Sequence, residues 1–276
     1  MRNASLSISL IIIFTLFGCK TKAADVLNDI SSNKGNYTAH LTLPRGSPPF
    51  PVVVLSHGRG GAKGYYYNWG KLITEWGFAA IAMDHYTPRG HGRRMPHGIM
   101  GTNESFDARR DDLISILKVI KKDKRLDNNR VTLAGWSRGA GFVGHGIFDR
   151  ETGVEAKFEH PIKAAILFYP ATRVFFNNFN ERFNLPVILL TGNKDFIWVH
   201  GWADMWKNYK SQCHPLILKL YEGAMHVFDS PYFLVKKCRL VRWGPTDYYP
   251  LCKFYDENTH KQSIQHLKAF LMKYAK

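Results

Sequence analysis

Six short apolar runs punctuate the chain: Pro51–Leu55, Phe78–Met83, Arg130–Ala134, Ala164–Phe168, Pro186–Leu190 and Leu216–Leu220. They are nearly continuous rather than alternating, and several are rich in β-branched residues. Strands buried on both faces of a parallel sheet have this character. Between them, apolar positions recur at helical spacing. In Ser105–Lys122, Leu113, Ile116, Leu117 and Ile120 share one face and charges occupy the other. A closing helix near Asn258–Tyr274 groups Ile264, Leu267, Phe270 and Leu271 in the same way. Strand alternating with helix predicts an α/β fold, a mostly parallel doubly wound sheet flanked by helices. After Lys34 no repeat, low-complexity tract or Pro/Ser-rich linker interrupts the pattern, so one domain is expected over residues 35–276.

The first residues follow a different logic. Arg2 precedes a mostly apolar run from Leu6 to Phe17, too short to span a bilayer comfortably but right for a signal-peptide core. Leu16-Phe17-Gly18-Cys19 resembles a bacterial lipobox, which makes residues 1–18 a lipoprotein-type signal and Cys19 a lipidation site. The competing reading is an ordinary signal cleaved near Ala23-Ala24. Both predict export. Lys20, standing where an aspartate would resemble an inner-membrane retention signal, favours a periplasmic protein anchored to the outer membrane. Residues 19–34 are small and polar and suit a tether.

Composition narrows the picture further. A chain of 276 residues, 45% hydrophobic and 22% charged, builds a sizeable core and excludes disordered and collagen-like classes. Its four cysteines cannot form the scaffold of a small disulfide-rich protein. An oxidising compartment permits a Cys238–Cys252 bridge, and three buried thiols are the equal alternative. The net charge of +16 calls for an anionic neighbour, but it is spread along the chain without a nucleic-acid module. Anionic lipid or lipopolysaccharide surfaces fit it better than nucleic acid.

Candidate chemistry begins at Gly135-Trp136-Ser137-Arg138-Gly139, which follows the run Val131-Thr132-Leu133-Ala134 and precedes small residues able to open a helix. This is a G-x-S-x-G nucleophile elbow in its strand–turn–helix context. Glycines flank the serine because side chains there would collide with the adjoining strand and helix. A serine hydroxyl needs a base, and the base needs an orienting carboxylate. The run Pro186–Leu190 leads into Asp195, and the run Leu216–Leu220 leads into His226. Both would therefore reach the strand ends where α/β sites assemble. Glu222 and Asp229 are rival carboxylates, but both belong to the loop of the histidine itself. The oxyanion hole is expected from the backbone N–H groups of Arg138 and of Arg59, in the loop Ser56-His57-Gly58-Arg59-Gly60-Gly61.

Together these segments resemble the dienelactone hydrolase family of α/β-hydrolases, from about Tyr37 to the C-terminus. The resemblance rests on Pro51–Gly58, Gly77–Asp84, the elbow, Gly192-Asn193-Lys194-Asp195, Gly223–Asp229 and the closing helix. It implies a Ser137–His226–Asp195 triad that cleaves a carboxylic ester or lactone through an acyl-enzyme, without cofactor or metal. Three departures bear on substrate. Ser137 stands where the namesake enzymes have cysteine, and His57 where they keep a glutamate. Of the two arginines that hold their substrate's carboxylate, Arg89 lies near the first position, while Ser230 replaces the second. Arg89 and His57 are thus candidate substrate contacts, and with Arg59, Arg138 and the basic loop Arg89–Arg94 they would favour an anionic ester.

The remaining features have plain readings beside sharper ones. His85, His91 and His97 recur at six-residue spacing, which is no metal-site signature, so no metal is expected. Tyr65-Tyr66-Tyr67 with Trp69 reads as core packing, with a pocket wall as the alternative. Ser230–Glu257 is either a lid or a packed surface loop. Acyl transfer or peptidase chemistry on the same triad stays open, as does a non-catalytic envelope-binding protein. Oligomeric state is not legible.

Overall fold

The computed structural model describes residues 25–30, 36–62, 64–90, 103–148, 162–170, 185–195, 216–231, 239–242, 248–251 and 254–276. The signal segment, Cys19, His91, Arg93, Arg94, His97 and the cysteines 213, 238 and 252 lie outside the described residues.

The strands are β1 (Asp25–Ile30), β2 (Tyr37–Thr42), β3 (Phe50–Ser56), β4 (Ala79–Asp84), β5 (Leu126–Trp136), β6 (Ile162–Phe168), β7 (Val187–Gly192) and β8 (Leu216–Tyr221). They form one eight-stranded sheet in the order β1-β2-β4-β3-β5-β6-β7-β8. β2 runs antiparallel to both of its neighbours, and every other pairing is parallel. The described helices are α1 (Gly64–Glu75), α2 (Asn103–Lys122), α3 (Arg138–Phe148) and α4 (Glu257–Tyr274).

Why the strand runs are continuous rather than alternating is visible in the two cores. Val52 and Val54 of β3 pack with Leu113, Ile116 and Ile120 of α2 and Phe142 and Val143 of α3. Val53 and Leu55 point the other way, to Tyr65, Trp69 and Ile73 of α1 and Leu267, Phe270 and Leu271 of α4. Successive residues of one strand thus serve opposite faces, and both faces need apolar side chains. All seven residues of β3 and all six of β4 are buried.

Two boundaries differ from the sequence pattern. Asp25–Ile30, expected within the tether, is the edge strand of the sheet, with Val26 opposite His40 and Leu27 opposite Ala39. Pairing with β2 gives its peptide groups partners, and Leu27 and Ile30 pack on the core. β5 reaches back to Leu126, with Leu126 opposite Phe50, through a polar stretch that hid it from the apolar pattern. The stretch Ser230–Glu257 contains an antiparallel ribbon, β9 (Arg239–Arg242) with β10 (Tyr248–Leu251). At its end Asp256 caps α4 by accepting from Thr259 N–H at 2.6 Å. The Asp256 N–H itself donates to Phe228 O at 3.0 Å, which fastens the helix to the loop after β8. Among the described residues no helix is long and apolar enough to cross a membrane.

Candidate active site

β5, β7 and β8 run parallel, so their C-terminal ends lie along one edge of the sheet. Ser137 follows β5, Asp195 follows β7 and His226 follows β8. Ser137 sits at φ 51°, in the left-handed region that a non-glycine residue occupies only under constraint. The constraint is local. Its N–H donates to Phe168 O at 2.9 Å, and its carbonyl accepts from Gly141 N–H at 2.9 Å as α3 begins. The flanking glycines are sterically required. A Cβ on Gly135 would come within 2.4 Å of Gly139 O, and one on Gly139 within 2.2 Å of Ser56 O.

The three expected side chains meet in a line. His226 Nδ1 lies 2.8 Å from Asp195 Oδ2, and His226 Nε2 lies 2.9 Å from Ser137 Oγ. Asp195 and His226 are buried. An ionised carboxylate only accepts, so Nδ1 carries the proton and Nε2 presents its lone pair to the serine hydroxyl. The loops carrying the acid and the histidine are sewn together: Asn193 N–H donates to Tyr221 O, Lys194 N–H to Ala224 O, and Gly223 N–H to Asn193 Oδ1. Of the rival carboxylates, Glu222 accepts from the Asn193 side-chain amide at the surface. Asp229 is buried away from the imidazole nitrogens. Its Oδ2 accepts from the indoles of Trp69 (2.9 Å) and Trp136 (2.8 Å), and its Oδ1 accepts from the Tyr169 hydroxyl (2.5 Å).

The loop after β3 lies directly against Ser137, since a Cβ on Gly58 would be 3.3 Å from Ser137 Cβ. Its first peptide groups are already engaged. Gly58 N–H donates to Tyr66 Oη at 2.7 Å, and Gly58 O accepts from His57 Nδ1 at 2.7 Å and from Gly61 N–H at 3.3 Å. A planar trans peptide then directs the Arg59 N–H opposite to the held Gly58 carbonyl. Arg138 opens α3, in the first turn, where helix N–H groups have no acceptor within the helix. Burial, and then the nearby guanidinium groups of Arg109 and Arg59, pull the Arg138 pKa below its ordinary value.

Arg89 and His57, expected at the substrate, are committed to the interior instead. Arg89 grips Asp112 with both terminal nitrogens, at 2.7 and 2.5 Å, and also donates to His85 O at 3.0 Å. Burial raises the Asp112 carboxyl, but the Arg89 and His85 hydrogen bonds outweigh it, and its pKa lies below the ordinary value. His57 is fully enclosed, and burial first, then the Arg109 charge, hold its pKa well below 6.5. It is therefore neutral. Its Nε2 accepts from His85 N–H at 3.1 Å, which leaves Nδ1–H to clamp Gly58 O. His85 completes the network, donating from Nδ1 to Asp112 at 2.7 Å and accepting from Ser56 Oγ at 3.2 Å. Burial lowers its pKa too, despite the carboxylate.

Arg109 was not among the residues the sequence singled out. It is buried, donates to His57 O at 2.8 Å and to the Tyr86 hydroxyl, and its Cζ stands 5.1 Å from the Tyr86 ring centroid. The available signal was positional: Arg109 and Asp112 interrupt the stripe that Leu113, Ile116 and Ile120 define. Charges on an apolar helical stripe are candidates for buried networks. Among the described residues, no group of three or more His, Cys, Asp or Glu side chains is arranged to hold a metal.

Comparison with known proteins agrees with this architecture. The family model described as serine aminopeptidase, S33 matches residues 47–177, just under half of the chain. No curated relative matches. A solved structure of a putative dienelactone hydrolase from Klebsiella pneumoniae subsp. pneumoniae superposes with TM-score 0.68 at 16% identity, covering 92% of this chain and 100% of that one. Carboxyl esterase 2 from the fungus Tuber melanosporum gives TM-score 0.64 at 15% identity, covering 94% and 90%. Thermogutta terrifontis esterase 2, in a form phosphorylated by paraoxon, gives 0.62 at 15% identity, covering 93% and 96%. The chain thus has the α/β-hydrolase fold, and in that fold it is similar to a dienelactone hydrolase and to carboxyl esterases.

Proposed function

We propose that the protein is a serine hydrolase that cleaves a carboxylic ester or lactone. One observation carries the reading: the hydrogen-bonded line Ser137–His226–Asp195, its proton positions set by a buried carboxylate. Ser137 Oγ attacks the carbonyl carbon while His226 Nε2 takes its proton. Asp195 holds the useful tautomer and stabilises the imidazolium as it forms. The developing oxyanion is met by the N–H groups of Arg138 and Arg59. Gly58 N–H is excluded from that role because Tyr66 already accepts it. The alcohol leaves with the proton from His226, giving an acyl-enzyme. Water, deprotonated by the same histidine, then releases the acid.

The family resemblance and the esterase neighbours support an ester over a peptide. The substrate is a small molecule, and with Arg89 paired to Asp112, Arg59 and Arg138 are the cations expected to favour an anionic one. Labelling with a fluorophosphonate followed by intact-mass measurement tests the nucleophile; the paraoxon adduct of the Thermogutta esterase makes this probe chemically apt. One adduct on wild type and none on Ser137→Ala is expected. A folded wild type that stays unlabelled would shift the reading to an envelope-binding protein that keeps the fold without turnover. If labelling succeeds, product analysis with an added alcohol or amine acceptor separates hydrolysis from acyl transfer.

We also propose export and a lipid anchor at Cys19. β1 enters the sheet at Asp25 and runs toward the catalytic edge, so an anchor six residues upstream is compatible with an outward-facing site. Incorporation of radiolabelled palmitate, lost in Cys19→Ala, is the expected result, and unlabelled wild type would refute the anchor.

A further inference from the structure

Among the described residues, the non-glycine positions with a positive φ are Ser137 at 51°, Tyr169 at 33° and Val227 at 57°. Ser137 follows β5, Tyr169 follows β6, and Val227 sits beside His226 in the loop after β8. Left-handed backbone crowds a side chain's Cβ, and for a β-branched residue such as Val227 it is a true outlier. Such conformations persist only where the surroundings over-determine them. All three lie around one buried carboxylate, Asp229, which the triad does not use.

Trp136, the residue before Ser137, donates its indole N–H to Asp229 Oδ2 at 2.8 Å, and Tyr169 donates its hydroxyl to Oδ1 at 2.5 Å. Trp69 of α1 adds a second indole to Oδ2 at 2.9 Å. An indole N–H can only donate, so without this oxygen two buried donors would go unpaired. Val227 is two residues upstream of Asp229, in a turn closed by Ser230 N–H donating to Val227 O at 3.1 Å. Ser137 and His226 are therefore joined twice: by the 2.9 Å contact of Oγ with Nε2, and behind it by the Trp136–Asp229 bond. Tyr169, fixed by the same carboxylate, stands edge-on to the His226 ring, centroids 4.6 Å apart.

We propose that Asp229 is a positioning residue for His226: by docking the histidine's loop onto Trp136 and Tyr169, it sustains the left-handed turn at Val227 and fixes where the imidazole stands relative to Ser137. This rests on the reading of Ser137, His226 and Asp195 as a hydrolase triad. Both imidazole nitrogens are engaged by Asp195 and Ser137, so Asp229 acts through the backbone of its own loop and through the Tyr169 ring. The two buried aspartates divide the work. Asp195 sets the proton on the ring, and Asp229 sets the place of the ring.

The test uses Asp229→Ala, Asp229→Asn, Tyr169→Phe, and Asp229→Ala combined with Val227→Gly. Two readouts are taken on the full chain: kcat and KM for a short p-nitrophenyl ester, and amide hydrogen exchange of residues 223–231. Asp229→Ala lowers kcat by about 10- to 100-fold with KM within about two-fold, because a base displaced by an ångström loses most of its effect. Asp229→Asn loses no more than about five-fold, since its amide oxygen still accepts both indoles and the Tyr169 hydroxyl can turn to accept the amide N–H. Adding Val227→Gly to Asp229→Ala recovers at least about five-fold in kcat, because glycine holds the left-handed turn without needing the carboxylate. A folded Asp229→Ala with wild-type kcat, or a loss that Val227→Gly leaves unrelieved, would overturn the proposal in favour of plain packing. If Asp229→Ala does not fold, Tyr169→Phe decides, since it removes one hydroxyl and keeps the ring: kcat lower by about three-fold or more at unchanged KM upholds the role, and wild-type kcat overturns it. If Ser137 of the wild type proves unreactive, the hydrolase reading fails on its own account. Exchange at 223–231 then decides: quickening in Tyr169→Phe upholds the anchoring by Asp229, and unchanged exchange overturns it.

Discussion

Arg89 offers the sharpest separation between what its sequence position suggests and what its surroundings do. By position it is a substrate anchor; by contacts it is the partner of a buried carboxylate. Replacing it with methionine keeps most of the volume of the side chain and removes the guanidinium. Asp112, with none of its side chain exposed, then loses the bidentate pair at 2.7 and 2.5 Å and keeps only the His85 donor. Removing one partner of a buried ion pair costs about 3–5 kcal/mol, because the remaining charge stays desolvated. The half-buried position of Arg89 argues for the lower half of that range. Against a total stability of about 5–15 kcal/mol this is a large loss, on the order of 10 °C in Tm. Urea unfolding followed by tryptophan fluorescence measures it, with an unchanged m-value required for the comparison. A second variant, Arg89→Met with Asp112→Leu, recovers part of the loss, since no unpaired charge is left. The kinetic expectation is the complement: KM for an ester bearing a free carboxylate stays within about two-fold of wild type. A Tm within 1 °C of wild type, together with a tenfold rise in that KM, would show that Arg89 faces the substrate and refute the reasoning.

Three further outcomes follow from the same contacts. His57 and His85 are buried with lowered pKa values, so between their folded values and 6.5 the unfolded chain binds more protons; stability is full above pH 6.5 and is lost as pH falls below it, by up to about 1.4 kcal/mol per pH unit for each histidine. Urea titrations from pH 7.5 to 5.5 measure this slope, and a flat profile would contradict it. Gly139→Ala drives a methyl group to 2.2 Å from Ser56 O and 2.6 Å from His57 O, and is expected to cost about 3 kcal/mol or more and to shift the loop beside Ser137; wild-type Tm and activity would count against that packing. Finally, matched neutral and carboxylate-bearing esters should differ in kcat/KM in favour of the anion, with the preference reduced by Arg138→Gln; equal values for wild type would remove Arg59 and Arg138 from substrate selection.

The strand and helix pattern was legible because both faces of this sheet are covered, which forces near-continuous apolar runs that few other arrangements require. The ends were less so. β5 begins at Leu126 inside Leu126-Asp127-Asn128-Asn129-Arg130, where backbone pairing to Phe50 rather than side-chain burial makes the strand. β1 failed for a related reason: an edge strand needs only one hydrogen-bonded neighbour and a little apolar contact, and Asp25–Ile30 supplies no more than that. That Ser137, Asp195 and His226 come together was readable from order and position, because three parallel strands deliver their following residues to one edge. Arg89 and His57 misled because position in a loop predicts neighbourhood and says nothing about which way a side chain turns. Its direction is set by partners distant in sequence. Asp112 is 23 residues from Arg89, and Arg109 is 52 from His57.

Those partners share one origin. Arg109 and Asp112 sit on the inner face of α2, where the apolar stripe would have accepted leucine. Charges persist there because α2 crosses beneath the loop after β3 and the turn after β4, whose backbone groups need buried donors and acceptors. Arg109 takes the His57 carbonyl, and Asp112 takes His85 and Arg89. On the other side of the same loop, Tyr66 takes the Gly58 N–H. The His57–Gly58 peptide is thus held from both layers of the sandwich, by the Arg109 guanidinium at its carbonyl and by the Tyr66 phenol at its N–H. A packed apolar residue at any of these positions would fill the space equally well. It would leave the loop beside Ser137 without the hydrogen bonds that fix its orientation, which is the property an oxyanion hole depends on.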